Sequence, residues 1–146
     1  MNEITPFMAN DHDRLDGIFQ QFQNVKTSEL KKASELFSDF RAGLERHIVW
    51  EEEILFPLFE TRTGMHDTGP TAVMRMEHRQ IKGYVELIQK SISAGDAKTD
   101  ELEQGLVGVL TSHNNKEESI LYPWIDNSIS DEERRESLKK MKEIPS

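Results

Sequence analysis

His47-Ile48-Val49-Trp50-Glu51-Glu52-Glu53-Ile54-Leu55-Phe56-Pro57 returns 66 residues later as His113-Asn114-Asn115-Lys116-Glu117-Glu118-Ser119-Ile120-Leu121-Tyr122-Pro123. In each copy a glutamate follows a histidine by four residues, one helical turn, so both side chains leave the same helix face. A shorter stretch repeats at the same offset: His12-Asp13-Arg14-Leu15-Asp16-Gly17 and His78-Arg79-Gln80-Ile81-Lys82-Gly83. Laid over one another without a gap, residues 8–60 and 74–126 share fourteen identities in fifty-three positions, where ordinary residue frequencies would give roughly three. The chain therefore reads as a duplicated helical hairpin. Its halves cover about 8–60 and 74–126, an extension covers about 128–146, and the whole of 1–146 is expected to form one domain.

Strand signals are absent, and apolar residues recur at steps of three and four, which predicts an all-α chain. A first helix is expected from about Asn10 to Val25, with Met8, His12, Leu15, Phe19 and Phe22 on one stripe. A second begins near Thr27 or Ser28, either of which could cap it, and carries Phe37, Phe40, Leu44, His47, Glu51, Ile54 and Leu58 before Pro57 bends or ends it. Pro70 suits the first turn of a third helix reaching about Ser93, with Met74, His78, Ile81, Val85, Ile88 and Ile92 inward. The fourth carries Leu106, Leu110, His113, Glu117, Ile120 and Trp124 and stops near Asn127. Ser130-Asp131-Glu132-Glu133 has the form of a capping box opening a short fifth helix. Four long amphipathic helices with short connections predict an antiparallel up-down-up-down bundle.

Composition narrows the chemistry. There is no cysteine, which excludes disulfides, thiolate catalysis and sulfur-ligated metals. The net charge of −9 comes with basic residues dispersed among acids, so no nucleic-acid surface is expected. The opening Met1-Asn2-Glu3-Ile4-Thr5-Pro6 lacks the regions of a secretion signal and no apolar run has membrane-spanning length, so the expectation is a cytoplasmic protein without membrane contact.

Histidines and carboxylates in an apolar seam cost several kcal/mol unless each is paired. His12, His47, Glu51, His78, His113 and Glu117 together would satisfy two metal ions, with two imidazoles apiece and shared carboxylates. Nitrogen and oxygen donors without sulfur fit iron, manganese or zinc. A ferritin-like site would need an acid three residues before each histidine, and Ala9, Leu44, Arg75 and Leu110 stand there instead. The zinc-protease pattern His-Glu-x-x-His is also missing. Of the neighbouring acids, Glu117 fits the ligand position better than Glu118. Glu52, Glu53 and Glu118 read as solvated or as hydrogen-bonding to a ligand, and Asp11 and Glu77 as solvated acids, a hydrogen bond to a ligand histidine being their alternative. His66 reads as a surface residue, and Trp50 and Tyr84 as packing residues, Tyr84 being the nearer candidate for an additional ligand.

This order of residues, a histidine, His-x-x-x-Glu, a histidine and His-x-x-x-Glu on four successive helices, resembles the hemerythrin-like HHE cation-binding family over nearly the whole chain to about Asn127. The resemblance implies a four-helix bundle around two iron ions, cycling between Fe2+ and Fe3+ with an oxo or hydroxo bridge. It implies Glu51 and Glu117 as bridging carboxylates, His12 and His47 on one ion, and His78 and His113 on the other. Oxygen-carrying members have a further histidine one turn before the helix-three ligand, where this chain has Met74, with Met8 at the matching place in the first half. They also put an aspartate where Glu118 stands. The resemblance therefore points to the symmetric branch, which binds oxygen, nitric oxide or peroxide in sensing or stress response. An enzyme acting on peroxide or nitric oxide, and an iron store or donor, are the alternatives; the protein partner is not legible.

Overall fold

The computed structural model describes residues 3–146; Met1 and Asn2, which open both the stretch read for a secretion signal and the span assigned to one domain, lie outside the described residues. The described chain is all-α. Helix α1 is Ile4–Val25. Helix α2 covers 30–63 and α4 covers 100–128, and each is interrupted by one π-helical stretch, Trp50–Leu55 in α2 and Glu117–Leu121 in α4. Helix α3 is Pro70–Ser93 and α5 is Asp131–Lys142. Helix α1 packs on α2, α2 on α3, α3 on α4, and α1 again on the end of α4, which closes a four-helix bundle. Helix α5 lies outside it against the π-helical stretch of α2, where the Trp50 indole donates to the Met141 carbonyl at 2.8 Å.

Helix α3 begins and ends where the sequence predicts, with Pro70 in its first turn. The capping box of α5 is present as read: the Ser130 hydroxyl accepts from the Glu133 amide, and the Glu133 carboxylate accepts from the Ser130 amide. Other expectations need correction. Helix α1 starts at Ile4 rather than near Asn10, because its free N-terminal amides find a partner remote in sequence. The Asp126 carboxylate accepts from the Ile4 and Thr5 amides at 2.9 and 3.0 Å and is itself held by Arg134. Negative charge at a helix N-terminus is favourable. Asp126→Ala is expected to destabilise the fold by about 1–2 kcal/mol, the usual cost of losing a helix cap, read as a lowered urea midpoint; an unchanged midpoint would show that the contact contributes nothing.

Neither Thr27 nor Ser28 caps α2. The Val25 carbonyl accepts from both the Ser28 and Glu29 amides, so this segment finishes α1, and α2 starts at Leu30. Of the two outcomes expected at Pro57, a bend or an end, the end does not occur. The Phe56 amide donates to the Glu51 carbonyl, one residue further back than in an α-helix, and the helix continues to Thr63. The widened turn accommodates a proline ring that would clash with the carbonyl four residues before it. Pro123 follows the matching stretch in α4, where the Tyr122 amide donates to the Glu117 carbonyl.

A π turn inserts one extra residue and rotates everything after it. In α4 the sequence stripe predicts Ile120 and Trp124 as inward-facing, but they are 57% and 41% exposed, while Leu121, Tyr122 and Ile125 are buried. In α2 the inward set likewise becomes Leu55, Phe56 and Phe59.

The core is divided into two apolar clusters. One holds Met8, Trp50, Phe56, Met74 and Tyr122; the other holds Leu15, Phe19, Phe40, Ile81 and Leu106. Burying each large side chain contributes about 1.5–3 kcal/mol. Between the clusters runs one polar layer, since each of α1 and α3 places its histidine between a methionine of the first cluster and an aliphatic residue of the second.

Candidate metal centre

His12, His47, Glu51, His78, His113 and Glu117 converge on that layer, each less than 5% exposed and both glutamates fully buried. Helical spacing alone brings each acid beside the histidine of its own helix: His47 Nε2 lies 3.6 Å from Glu51 Oε2, and His113 Nε2 lies 3.2 Å from Glu117 Oε2. Bundle closure adds the cross-helix partners, with His78 Nε2 2.9 Å from Glu51 Oε1 and His12 Nε2 3.2 Å from Glu117 Oε1. Each carboxylate thus turns one oxygen toward the His12–His47 pair and the other toward the His78–His113 pair. The paired imidazole centroids are 4.7 and 4.9 Å apart.

The other ring nitrogen of every histidine meets an acid. His47 Nδ1 is 2.9 Å from Asp11, His113 Nδ1 2.9 Å from Glu77, His12 Nδ1 2.7 Å from Glu118, and His78 Nδ1 2.6 Å from Glu52. The four pairs obey the 66-residue repeat. Asp11 and Glu77 are therefore not simply solvated, as the sequence first suggests. Each neighbours a histidine in the chain, but successive residues of a helix point about 100° apart, so each reaches the histidine of the adjacent helix instead. Glu118 likewise serves His12, and the carboxylate placed among the Nε2 atoms is that of Glu117. Glu53 is exposed, as is His66.

A carboxylate at Nδ1 fixes the ring and its tautomer, leaving the Nε2 lone pair for a cation. Four such lone pairs and two carboxylates facing one another inside a protein need positive charge between them. Among the described residues four buried side-chain polar atoms lack a hydrogen-bond partner, and three are Glu51 Oε1, His78 Nε2 and Glu117 Oε2. Two groups could each hold an ion: Glu51, His78, His113 and Glu117, and His12, His47 and Glu117. The donor set fits a metal. Without one, protons substitute: burial disfavours the His47 imidazolium, yet the Glu51 charge and the Asp11 hydrogen bond outweigh it and raise the pKa to about 10. Burial opposes the His113 imidazolium too, and Glu117 overcomes this, raising the pKa to about 9.

Tyr122 is the site residue that the sequence reading missed. Its hydroxyl lies 2.7 Å from Glu51 Oε2 and 2.9 Å from Glu117 Oε1, with His47 Nε2 at 3.1 Å and His12 Nε2 at 3.3 Å. Burial, then the charges of Glu117 and Glu51, push its pKa well up, so the metal-free phenol keeps its proton. Its counterpart in the first half is Phe56, stacked on His78 at 5.9 Å with an 8° interplanar angle. Tyr84 is remote from this chemistry, its ring filling the space over Gly105. A cavity of about 20 Å³ opens on the layer from the other side, walled by Leu15, Phe40, Ile48 and Ile81.

The profile of the Hemerythrin HHE cation binding domain matches residues 3–125. The chain belongs to this family. Its domain type binds metal cations, in keeping with the donor set of the polar layer. Similar curated proteins include a DNA nickase of Nostoc sp., 27% identical over 89% of this chain and 35% of its own length. An uncharacterized hemerythrin-like protein of Schizosaccharomyces pombe is 27% identical over 91% of this chain and 64% of its own. The iron-sulfur cluster repair protein YtfE of Edwardsiella ictaluri is 33% identical over 59% of this chain and 42% of its own. This chain thus spans less than two thirds of the length of each of these relatives. No solved structure matches significantly. Among the described residues no helix is long and apolar enough to cross a membrane.

Proposed function

We propose that this hemerythrin-like chain holds two iron ions in the polar layer and uses them to bind a small oxidant or gas (oxygen, nitric oxide or peroxide) in sensing or stress response. His12 and His47 serve one ion, His78 and His113 the other, and Glu51 and Glu117 span both. The observation that carries the reading is the symmetric set of four histidines, each oriented by a carboxylate at Nδ1 and each with Nε2 beside Glu51 or Glu117. Iron held this way supplies reversible one-electron chemistry and binding positions for small ligands. The chain's own residues do the rest. Asp11, Glu52, Glu77 and Glu118 hold the rings, and the two apolar clusters restrict water. The cavity of about 20 Å³ admits a water-sized or diatomic molecule.

A second reading, an iron donor for damaged centres, is favoured by the relative named for iron-sulfur cluster repair. Elemental analysis should return about two irons per chain; a folded chain that takes up no iron rejects both readings. Rapid mixing of the reduced protein with oxygen, nitric oxide or peroxide separates them. A stable adduct supports the sensor, sustained consumption an enzyme, and fast loss of iron to a chelator the donor.

A further inference from the structure

The histidines and glutamates of the layer obey the 66-residue repeat, but the residue above them does not. Where the first half has Phe56, the second has Tyr122. Both rings occupy equivalent places, Phe56 against His78 and Tyr122 against His12 at 5.8 Å, so the difference between the halves at this place is one oxygen atom.

That oxygen has a telling set of distances. Ligands bound at right angles about 2.1 Å from a six-coordinate ion lie about 3 Å apart, and each vertex of an octahedron has four such neighbours and one opposite. The Tyr122 oxygen has four donors at this spacing: His12 Nε2 at 3.3 Å, His47 Nε2 at 3.1 Å, Glu51 Oε2 at 2.7 Å and Glu117 Oε1 at 2.9 Å. These are two imidazoles and one oxygen from each shared carboxylate, the whole donor set on that side of the layer. Tyr122 approaches from the cluster that holds Met8 and Phe56, whereas the cavity opens from the opposite cluster. The side of this donor set away from the phenol is therefore the one nearest the cavity.

From this geometry we infer that Tyr122 is a seventh metal-coordinating side chain, bound as phenolate to the ion between His12 and His47. The ion between His78 and His113 has no equivalent, because Phe56 offers only a ring. The two positions differ: one has five protein donors and a single open vertex, the other four donors and two. Coordination transfers the phenol proton to solvent as the ion enters, exchanging one positive charge for part of another.

The inference rests on the two-iron reading, and iron makes it directly visible. A phenolate bound to iron(III) gives an intense charge-transfer absorption in the visible, with phenolate ring modes in resonance Raman excited within it. The full chain is loaded with iron(II), oxidised, and measured beside Tyr122→Phe and Tyr84→Phe. The expected result is a band in the unmodified chain and in Tyr84→Phe, and its complete loss in Tyr122→Phe at an unchanged two irons per chain. Phe56 shows that this fold accepts phenylalanine at the equivalent place. Two irons without the band, or a band that survives in Tyr122→Phe, overturns the assignment of Tyr122 and leaves the iron reading standing. A chain that takes up no iron overturns both.

Discussion

On the two-iron reading, Glu117→Ala is expected to carry less than one iron per chain against about two for the unmodified protein, a loss that the equivalent change at Glu51 should match. Glu117 belongs to both groups of residues that could hold an ion, with Oε1 facing His12 and Oε2 facing His113. Its removal takes a donor from each ion at once. His113→Ala removes a donor from one side only and should retain an ion between His12 and His47. Glu118→Ala offers the sharpest comparison, since the adjacent carboxylate touches the site only through His12 Nδ1. Losing such a supporting hydrogen bond weakens metal affinity about 10–100-fold without deleting a ligand, so iron content should stay near two when iron is in excess. Glu117→Gln, which keeps the shape and removes the charge, guards against loss of iron through misfolding. If Glu117→Ala retains two irons while Glu118→Ala loses them, the bridging role passes to Glu118.

The features legible in the sequence are those whose causes are local. Pro70 and the Ser130 capping box announce their helices within four residues. The stripe through His78, Ile81 and Val85 is a property of one uninterrupted α-helix, and it buries as read. The fold class and the convergence of the histidine-bearing faces follow from such stripes and from the repeat. What the sequence concealed depends on contacts far along the chain or on a departure from α periodicity. The start of α1 is set by Asp126, more than a hundred residues away. The carboxylate partners of the histidines lie on neighbouring helices, so spacing along one helix cannot reveal them. Tyr122 was hidden by the π turn, because counting by α-helical steps from Glu117 leads to Ile120 and Trp124. Two signals for it were present: a proline one residue beyond, and a single Phe-to-Tyr change within an otherwise matching Ile-Leu-x-Pro.

Stability and metal affinity should respond to pH in opposite directions. In the metal-free protein His47 and His113 have pKa values raised to about 10 and about 9, against 6.5 for an ordinary histidine. Groups raised in the folded state bind protons that the unfolded chain has released, so stability falls as pH rises between the two values. Their contribution is complete below about pH 6.5 and is lost as pH passes through 9 and 10. Tyr122 adds to this trend in more alkaline solution, since its buried phenol stays protonated after an unfolded tyrosine has ionised. The metal-free chain should therefore unfold at lower urea near pH 9.5 than at pH 6.5. Metal entry must displace these two protons, one from the histidine of each pair, so apparent affinity should rise about tenfold per pH unit for the ion between His78 and His113 over that interval, and about a hundredfold for the ion between His12 and His47 if Tyr122 also gives up its proton there. A zinc titration in weak buffer reads the released protons directly, and urea midpoints with and without zinc should diverge with increasing pH. A metal-free midpoint that climbs toward pH 9.5 would mean that His47 and His113 are neutral in the folded chain, and that the carboxylate layer is held together without them.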